Sequence, residues 1–287
     1  MSDNSEDRIT ETVLKSFAST PNPRLHLLMT SLVTHLHAFI REVEPSEAEW
    51  FAAIDFLTRT GQICDEKRQE FILLSDTLGV SMLVDAVNHR MGEGATESTI
   101  FGPFYRSGAQ ELPYGASINQ DGGGEPAVVS GRVLATDGTP IANATLDVWE
   151  TNENGMYDQQ DQAQSDMNLR GKFRTDEQGR YKFVGIRPVP YSIPADGPVG
   201  EMLRASGRNW YRAAHIHLIV SADGYVPVTT HLFVKGDSYL ESDAVFGVKD
   251  SLIAEFVRQE SAEAATRHNV SVPFYTVEHD WVLKPAA

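Results

Sequence analysis

Two hydrophobic periods share this chain, and each dictates a different kind of element. Through the first hundred residues apolar side chains return at intervals of three and four. Leu25, Leu28, Leu32, Leu36, Phe39 and Ile40 form one such stripe, the pattern of an amphipathic helix. Ser46 with Glu49 makes a capping box that opens a second helix through Trp50, Phe51, Ile54 and Leu57, with Gly61 as its stop. Residues 66–75 and 80–88 continue the helical pattern. These apolar faces are expected to pack chiefly on one another. Gly92, Gly94, Gly115 and the run Gly122, Gly123, Gly124 mark a loop-rich join, and from Ala127 onward the texture changes. Segments 128–134, 144–149, 180–184, 215–220, 229–234 and 271–277 read as short strands, with turns such as Asp176-Glu177-Gln178-Gly179 between them. The expected architecture is α+β, with a helical part over 1–105 and an antiparallel β-sandwich over 106–287.

Within the strand-rich part, His215-Ile216-His217 places two imidazoles on one face, because side chains at i and i+2 of an extended segment point the same way. Two histidines suit zinc, copper, nickel or iron, so the remaining ligands decide between them. A carboxylate three or four residues on would complete a cupin-like set, but those positions hold Val220 and Ser221. Tyr157 and Tyr191 each lie in a Gly- or Pro-marked loop. A phenolate is a hard anionic donor, and a trivalent cation can remove its proton near neutral pH although free tyrosine titrates near ~10. Two phenolates and a hydroxide would neutralise Fe(III). Taken singly, either tyrosine is more often a packing residue with a satisfied hydroxyl than a ligand.

The phrases around these residues decide between the readings. LDVWETNENGMY at 146–157, RPVPYSIP at 187–194 with DGPVG at 196–200, and RAAHIH at 212–217 occur in that order. Together they closely resemble the intradiol ring-cleavage dioxygenases, from about residue 25 to the C-terminus. ESTIFGPFY at 97–105, ELP at 111–113 and SDAVFGV at 242–248 are most similar to the members that act on hydroxyquinol, with catechol and chlorocatechol enzymes as near neighbours. The resemblance implies a prealbumin-like sandwich holding Fe(III) through Tyr157, Tyr191, His215 and His217, with Tyr191 leaving the metal when an aromatic diol or triol arrives. It implies attack by dioxygen on the bound ring, with Arg212 stabilising the charge that develops there. Arg212 stands an odd number of residues from both histidines, so it reaches the same side only if the chain bends between them. His231, where many catechol-type members carry Gln, is read as a neighbour of the metal ligands rather than a fifth one.

The matching phrases also place Leu73, Asp76, Ile100, Phe101, Gly102, Pro103, Phe104, Ile193 and Pro194 around the substrate. Most give an apolar slot. Asp76 is the exception: it reads either as the partner of a third ring hydroxyl or, nearly as well, as a helix-end cap or solvated residue. The expectation is therefore cleavage of benzene-1,2,4-triol to 3-hydroxy-cis,cis-muconate, with catechol or chlorocatechol cleavage as the alternative. A second rival is a metal-free module, since residues 131–147 and 175–183 also resemble non-enzymatic prealbumin-like sandwiches. In the dioxygenase family the helical segment forms a dimer interface and often holds a lipid, which makes a homodimer the expected assembly.

Composition narrows the partners. A formal charge of -16 over 287 residues repels nucleic acid and anionic lipid, and no basic run offers a local exception. The single cysteine, Cys64, leaves no intrachain disulfide framework. The polar start Met1-Ser2-Asp3-Asn4-Ser5-Glu6 does not read as a signal peptide, and no apolar run approaches the ~18 residues of a membrane span. A cytoplasmic enzyme without nucleic-acid or membrane partners is expected.

Overall fold

A computed structural model describes residues 5–66 and 68–286, so residues 1–4 of the acidic start lie outside the described residues. The chain divides into two compact units, Met1–Gln62 and Ile63–Ala287. The first holds α1 (Ser5–Ser16), α2 (Pro23–Val43) and α3 (Glu47–Gln62). Asn22 caps α2 by accepting from the amides of Arg24 and Leu25. The capping box at α3 is formed as expected, with the Ser46 amide donating to Glu49 Oε2 at 2.8 Å and the Glu49 amide to Ser46 Oγ at 3.3 Å. Gly61 does not stop the helix, which runs one residue further.

The expected mutual packing of these apolar faces is not what the chain does. No described residue of α2 is buried, and Leu25, Leu28, Leu32, Leu36 and Phe39 all remain exposed, as do Trp50, Phe51, Ile54 and Leu57 of α3. An amphipathic period decides which residues share a face but not what that face meets, and here the stripes of α2 and α3 stay open.

The second unit begins with α4 (Glu70–Thr77) and α5 (Val80–Asn88), the former displaced towards the C-terminus from the expected 66–75. Twelve strands and two more helices follow: β1 (Pro126–Ala135), β2 (Thr145–Trp149), β3 (Arg170–Arg174), β4 (Arg180–Ile186), β5 (Tyr191–Ser192), α6 (Pro198–Ala205), β6 (Tyr211–Arg212), β7 (His215–Ser221), β8 (Val228–Val234), β9 (Ile253–Ala254), β10 (Val257–Gln259), α7 (Ala262–His268), β11 (Phe274–Glu278) and β12 (Trp281–Leu283). One sheet has the order β10-β11-β1-β12 with β4 also on β1, the other β3-β2-β7-β8-β9, and β5 and β6 form a separate two-stranded ribbon. Val129, Val133, Leu146, Val148, Phe183, Ile216, Leu218 and Leu232 belong to the continuous core of this unit. The sandwich is mixed rather than wholly antiparallel: β11 and β12 run parallel to successive halves of β1, and β9 parallel to β8. Each of these pairs is joined through long stretches of chain rather than a hairpin, which frees the strands to run the same way.

Two features of this unit set the site. Ile216, Leu218 and Val220 of β7 enter the core, so the strand period turns His215 and His217 to the opposite face. On the other side, α4 is clamped to the start of α6: Glu70, fully buried, accepts from the Val199 amide at 3.1 Å, and Arg68 bridges Glu70 and Asp196. That clamp ties Leu73 and Asp76 to the loop carrying Ile193 and Pro194, and Leu73, Ile100 and Ile193 share one apolar cluster.

Candidate metal centre

Register across the second sheet lines up three rings: Trp149 of β2 lies opposite His217 of β7, which lies opposite His231 of β8. The Trp149 indole stacks on the His217 imidazole, with centroids 4.7 Å apart and planes at 11°. His215, His217 and His231 are all buried.

Tyr157 and Tyr191 come to the same face from their two loops. Gly155 makes this approach possible, since it adopts φ +75° and a Cβ there would fall 2.7 Å from Tyr191 Cβ. Tyr157 is sealed in by Phe104, whose ring stacks on it at 4.6 Å and 22°. Gly102 lies over His217, where an added Cβ would sit 3.2 Å from Cε1.

Four donor atoms therefore converge. Tyr157 Oη is 3.0 Å from Tyr191 Oη and 2.9 Å from His217 Nε2, His217 Nε2 is 3.1 Å from His215 Nε2, and His215 Nε2 is 3.5 Å from Tyr191 Oη. Donors held about 2.0–2.1 Å from one ion stand roughly 3 Å apart at right angles and about 3.5 Å apart at 120°, so this closed ring of atoms fits a single transition-metal ion. His215 donates Nδ1–H to the Ala213 carbonyl at 2.6 Å, which leaves its Nε2 lone pair for the centre.

Burial and the neighbouring Arg212 charge hold all three imidazoles well below the usual histidine range, and so neutral, the state a ligand needs. Burial also pushes both phenols above the usual tyrosine range, Tyr157 further because Tyr191 adds to it. A cation at the centre of the ring reverses that balance by supplying the charge a phenolate needs.

His231 stands apart from the ring. Its Nδ1 is engaged by the Thr99 hydroxyl, and its Nε2 has no partner among the described residues. Its ligating atom nonetheless lies within 4.8 Å of those of His215 and His217.

Arg212 arrives by the bend that the odd spacing required. The chain pairs Arg212 with Tyr191 in the β5–β6 ribbon, breaks at Ala213 and Ala214, and only then enters β7. Its guanidinium is buried, bonded through Nε to Asp243 Oδ1 at 2.9 Å, and within electrostatic reach of Tyr191, Tyr157 and Asp76.

Leu73, Asp76, Pro103, Phe104 and Pro194 line one cavity of about 240 Å³. Ile100 and Ile193 are buried in the cluster behind it, whereas Phe101 is half exposed and packs on Tyr105 and Trp149. Burial raises Asp76 above the usual carboxylate range, partly offset by the Ser81 hydroxyl and the Arg212 charge. Asp243, Thr99 and Gln160 also stand at or beside this site but were not singled out from sequence. Asp243 lies inside the phrase 242–248, yet nothing in its spacing points to a partner 31 residues earlier.

Comparison with known proteins gives the same address. A family model described as catechol dioxygenase N terminus matches residues 22–96, and one described as dioxygenase matches residues 100–285. A hydroxyquinol 1,2-dioxygenase from a Rhizobium species is 52% identical over 280 residues, covering 97% of this chain and 95% of that one. The crystal structure of a hydroxyquinol 1,2-dioxygenase from Pseudomonas putida superposes with a TM-score of 0.93 at 48% identity, covering 98% of this chain and 99% of that one. A catechol 1,2-dioxygenase from an Acinetobacter species follows at a TM-score of 0.84 and 30% identity, with 99% and 93% covered.

Proposed function

This chain belongs to the intradiol ring-cleavage dioxygenases, and from that premise we infer that it opens hydroxyquinol between its vicinal hydroxyls with dioxygen. The product is 3-hydroxy-cis,cis-muconate, the enol form of maleylacetate. The observation that carries the reading is the closed ring of four buried donors from Tyr157, Tyr191, His215 and His217. A structural sandwich module would have no use for it.

We assign those four side chains as the ligands of ferric iron, with His231 as their neighbour. When bound there, ferric iron supplies Lewis acidity, making the vicinal hydroxyls acidic and keeping the ring electron-rich towards dioxygen. The protein's own residues bind, orient and move protons. Tyr157 is the tyrosine to stay, because Phe104 stacks on its ring and it is only 1% exposed. Tyr191 sits on a two-residue strand with its hydroxyl at the longest edge of the ring, 3.5 Å from His215, and would be the phenolate to take up a substrate proton. Arg212, opposite Tyr191 in the ribbon, offers a fixed positive charge where the ring gains electrons. The cavity lined by Phe104 and Pro194 is where the ring would be received, with Asp76 as the partner of the third hydroxyl.

The rest of the reading concerns assembly. The helical part over 1–105 serves dimerisation and the part over 106–287 catalysis, in line with two family matches that meet between residues 96 and 100. The enzyme is read as a cytoplasmic homodimer joined through its helical part. Exposed Leu28, Leu32, Leu36 and Phe39 support the interface, and no helix among the described residues is long and apolar enough to cross a membrane.

Ferric titration of the apoprotein tests the ligand set. The account expects broad visible absorption from tyrosinate-to-iron charge transfer, saturating at one iron per chain and losing much of its intensity in Tyr157→Phe. A colourless ferric complex, or an unchanged band in that variant, would refute the assignment.

A further inference from the structure

Arg212 and Asp243 form an ion pair almost wholly withdrawn from solvent, at 3% and 5% exposure. The Asp243 carboxylate is fully committed. Its Oδ1 accepts from Arg212 Nε at 2.9 Å and from the Ala213 amide at 3.2 Å, and its Oδ2 accepts from the Gly247 amide at 2.8 Å. Arg212 is not. Its Nη2 is buried and has no partner among the described residues. A buried guanidinium nitrogen left unbonded is costly unless a ligand completes it. Gly247 keeps the space around that nitrogen open, since a Cβ there would come within 3.1 Å of Nη2 and 3.3 Å of Asp243 Oδ2.

We propose that Asp243 is a positioning residue for the ring-cleavage reaction: by holding Arg212 through Nε, it fixes the guanidinium plane and reserves Nη2 as a donor for the substrate oxygen that gains charge. The role rests on the reaction assigned above. A donor already desolvated and held in place stabilises developing charge without reorganising at the moment of reaction. The same carboxylate also balances the buried cation while the cavity holds no substrate. Its Oδ1 also accepts from the Ala213 amide, next to Arg212 in the bend between β6 and β7. Gly247 contributes by omission.

The test uses the full-length, iron-loaded protein, with Asp243→Asn, Arg212→Gln, the double variant and Gly247→Ala. Asp243→Asn is expected to keep its iron and the visible absorption of the resting protein while kcat falls about tenfold or more and KM moves within about threefold. Added to Arg212→Gln, it is expected to cost less than about another twofold, because a residue that acts only through Arg212 has nothing left to position. Gly247→Ala, which keeps both charged residues but crowds Nη2, is expected to lower kcat in the same direction and keeps the proposal testable if Asp243→Asn does not fold. Turnover within about twofold of the parent in Asp243→Asn or in Gly247→Ala, full additivity in the double variant, or loss of iron from Asp243→Asn would each overturn the positioning role. A parent chain that takes up no oxygen would overturn the assigned reaction itself, whereas an active parent with an unaffected Asp243→Asn overturns this role alone.

Discussion

In the proposed reaction, Asp76 is the side chain expected to decide substrate choice. It is buried in the wall of a cavity that it shares with apolar Leu73, Pro103, Phe104 and Pro194 and with polar Arg68, Gln69 and Gln160, and burial raises it above the ordinary carboxylate range. A ring bearing a third hydroxyl gives it a partner, whereas plain catechol leaves it facing carbon. Asp76→Ala is therefore expected to lower the preference for hydroxyquinol over catechol, measured as the ratio of kcat/KM values, by about tenfold. A change smaller than about twofold would remove Asp76 from the specificity argument. The histidine pair was the most legible part of the site, because a period of two is a local property of a strand. Tyr157 and Tyr191 were legible only through the phrases around them. Asp243 and Thr99 were not, since each meets its partner across the fold and no local pattern records such a meeting.

Glu150 follows the end of β2 and accepts from the Ile186 amide at the end of β4, so one buried carboxyl joins the two sheets. Burial pushes it up to about 8 from an ordinary value of 4.5. The folded chain thus keeps a proton that the unfolded chain has lost between those two values. Stability is then fully present below the lower value and falls as pH rises towards the upper one, by up to about 1.4 kcal/mol per unit. Glu150→Gln is expected to flatten the fall in melting temperature across that window; parallel curves for parent and variant would assign the pH dependence elsewhere. Among the elements themselves, α5, β1, β2, β4, β7 and β8 were legible from period and turn residues. The two-residue strands β5 and β6 were not, because nothing so short carries a period, and β3 hid behind a polar run, Arg170-Gly171-Lys172-Phe173-Arg174. Parallel pairing of β11 and β12 with β1 is a decision of the whole chain and leaves no local signature.

At the scale of the molecule, α2 and α3 leave apolar faces exposed, and the proposed homodimer would cover them with a second copy of the chain. Sedimentation of the parent is expected to give about twice the chain mass of 31.7 kDa, and Leu32→Glu with Leu36→Glu to give the monomer. A monomeric parent would contradict the dimer. The net charge of -16 suits a chain whose partners are small molecules. The whole account stands on one reaction, and oxygen uptake measures it directly. Iron-loaded protein is to be given hydroxyquinol and catechol separately, each rate corrected for autoxidation. The account predicts rapid, equimolar consumption of dioxygen and hydroxyquinol with a clear kcat/KM preference over catechol. Faster turnover of catechol would contradict the substrate, and no uptake beyond autoxidation with either ring would contradict the reaction.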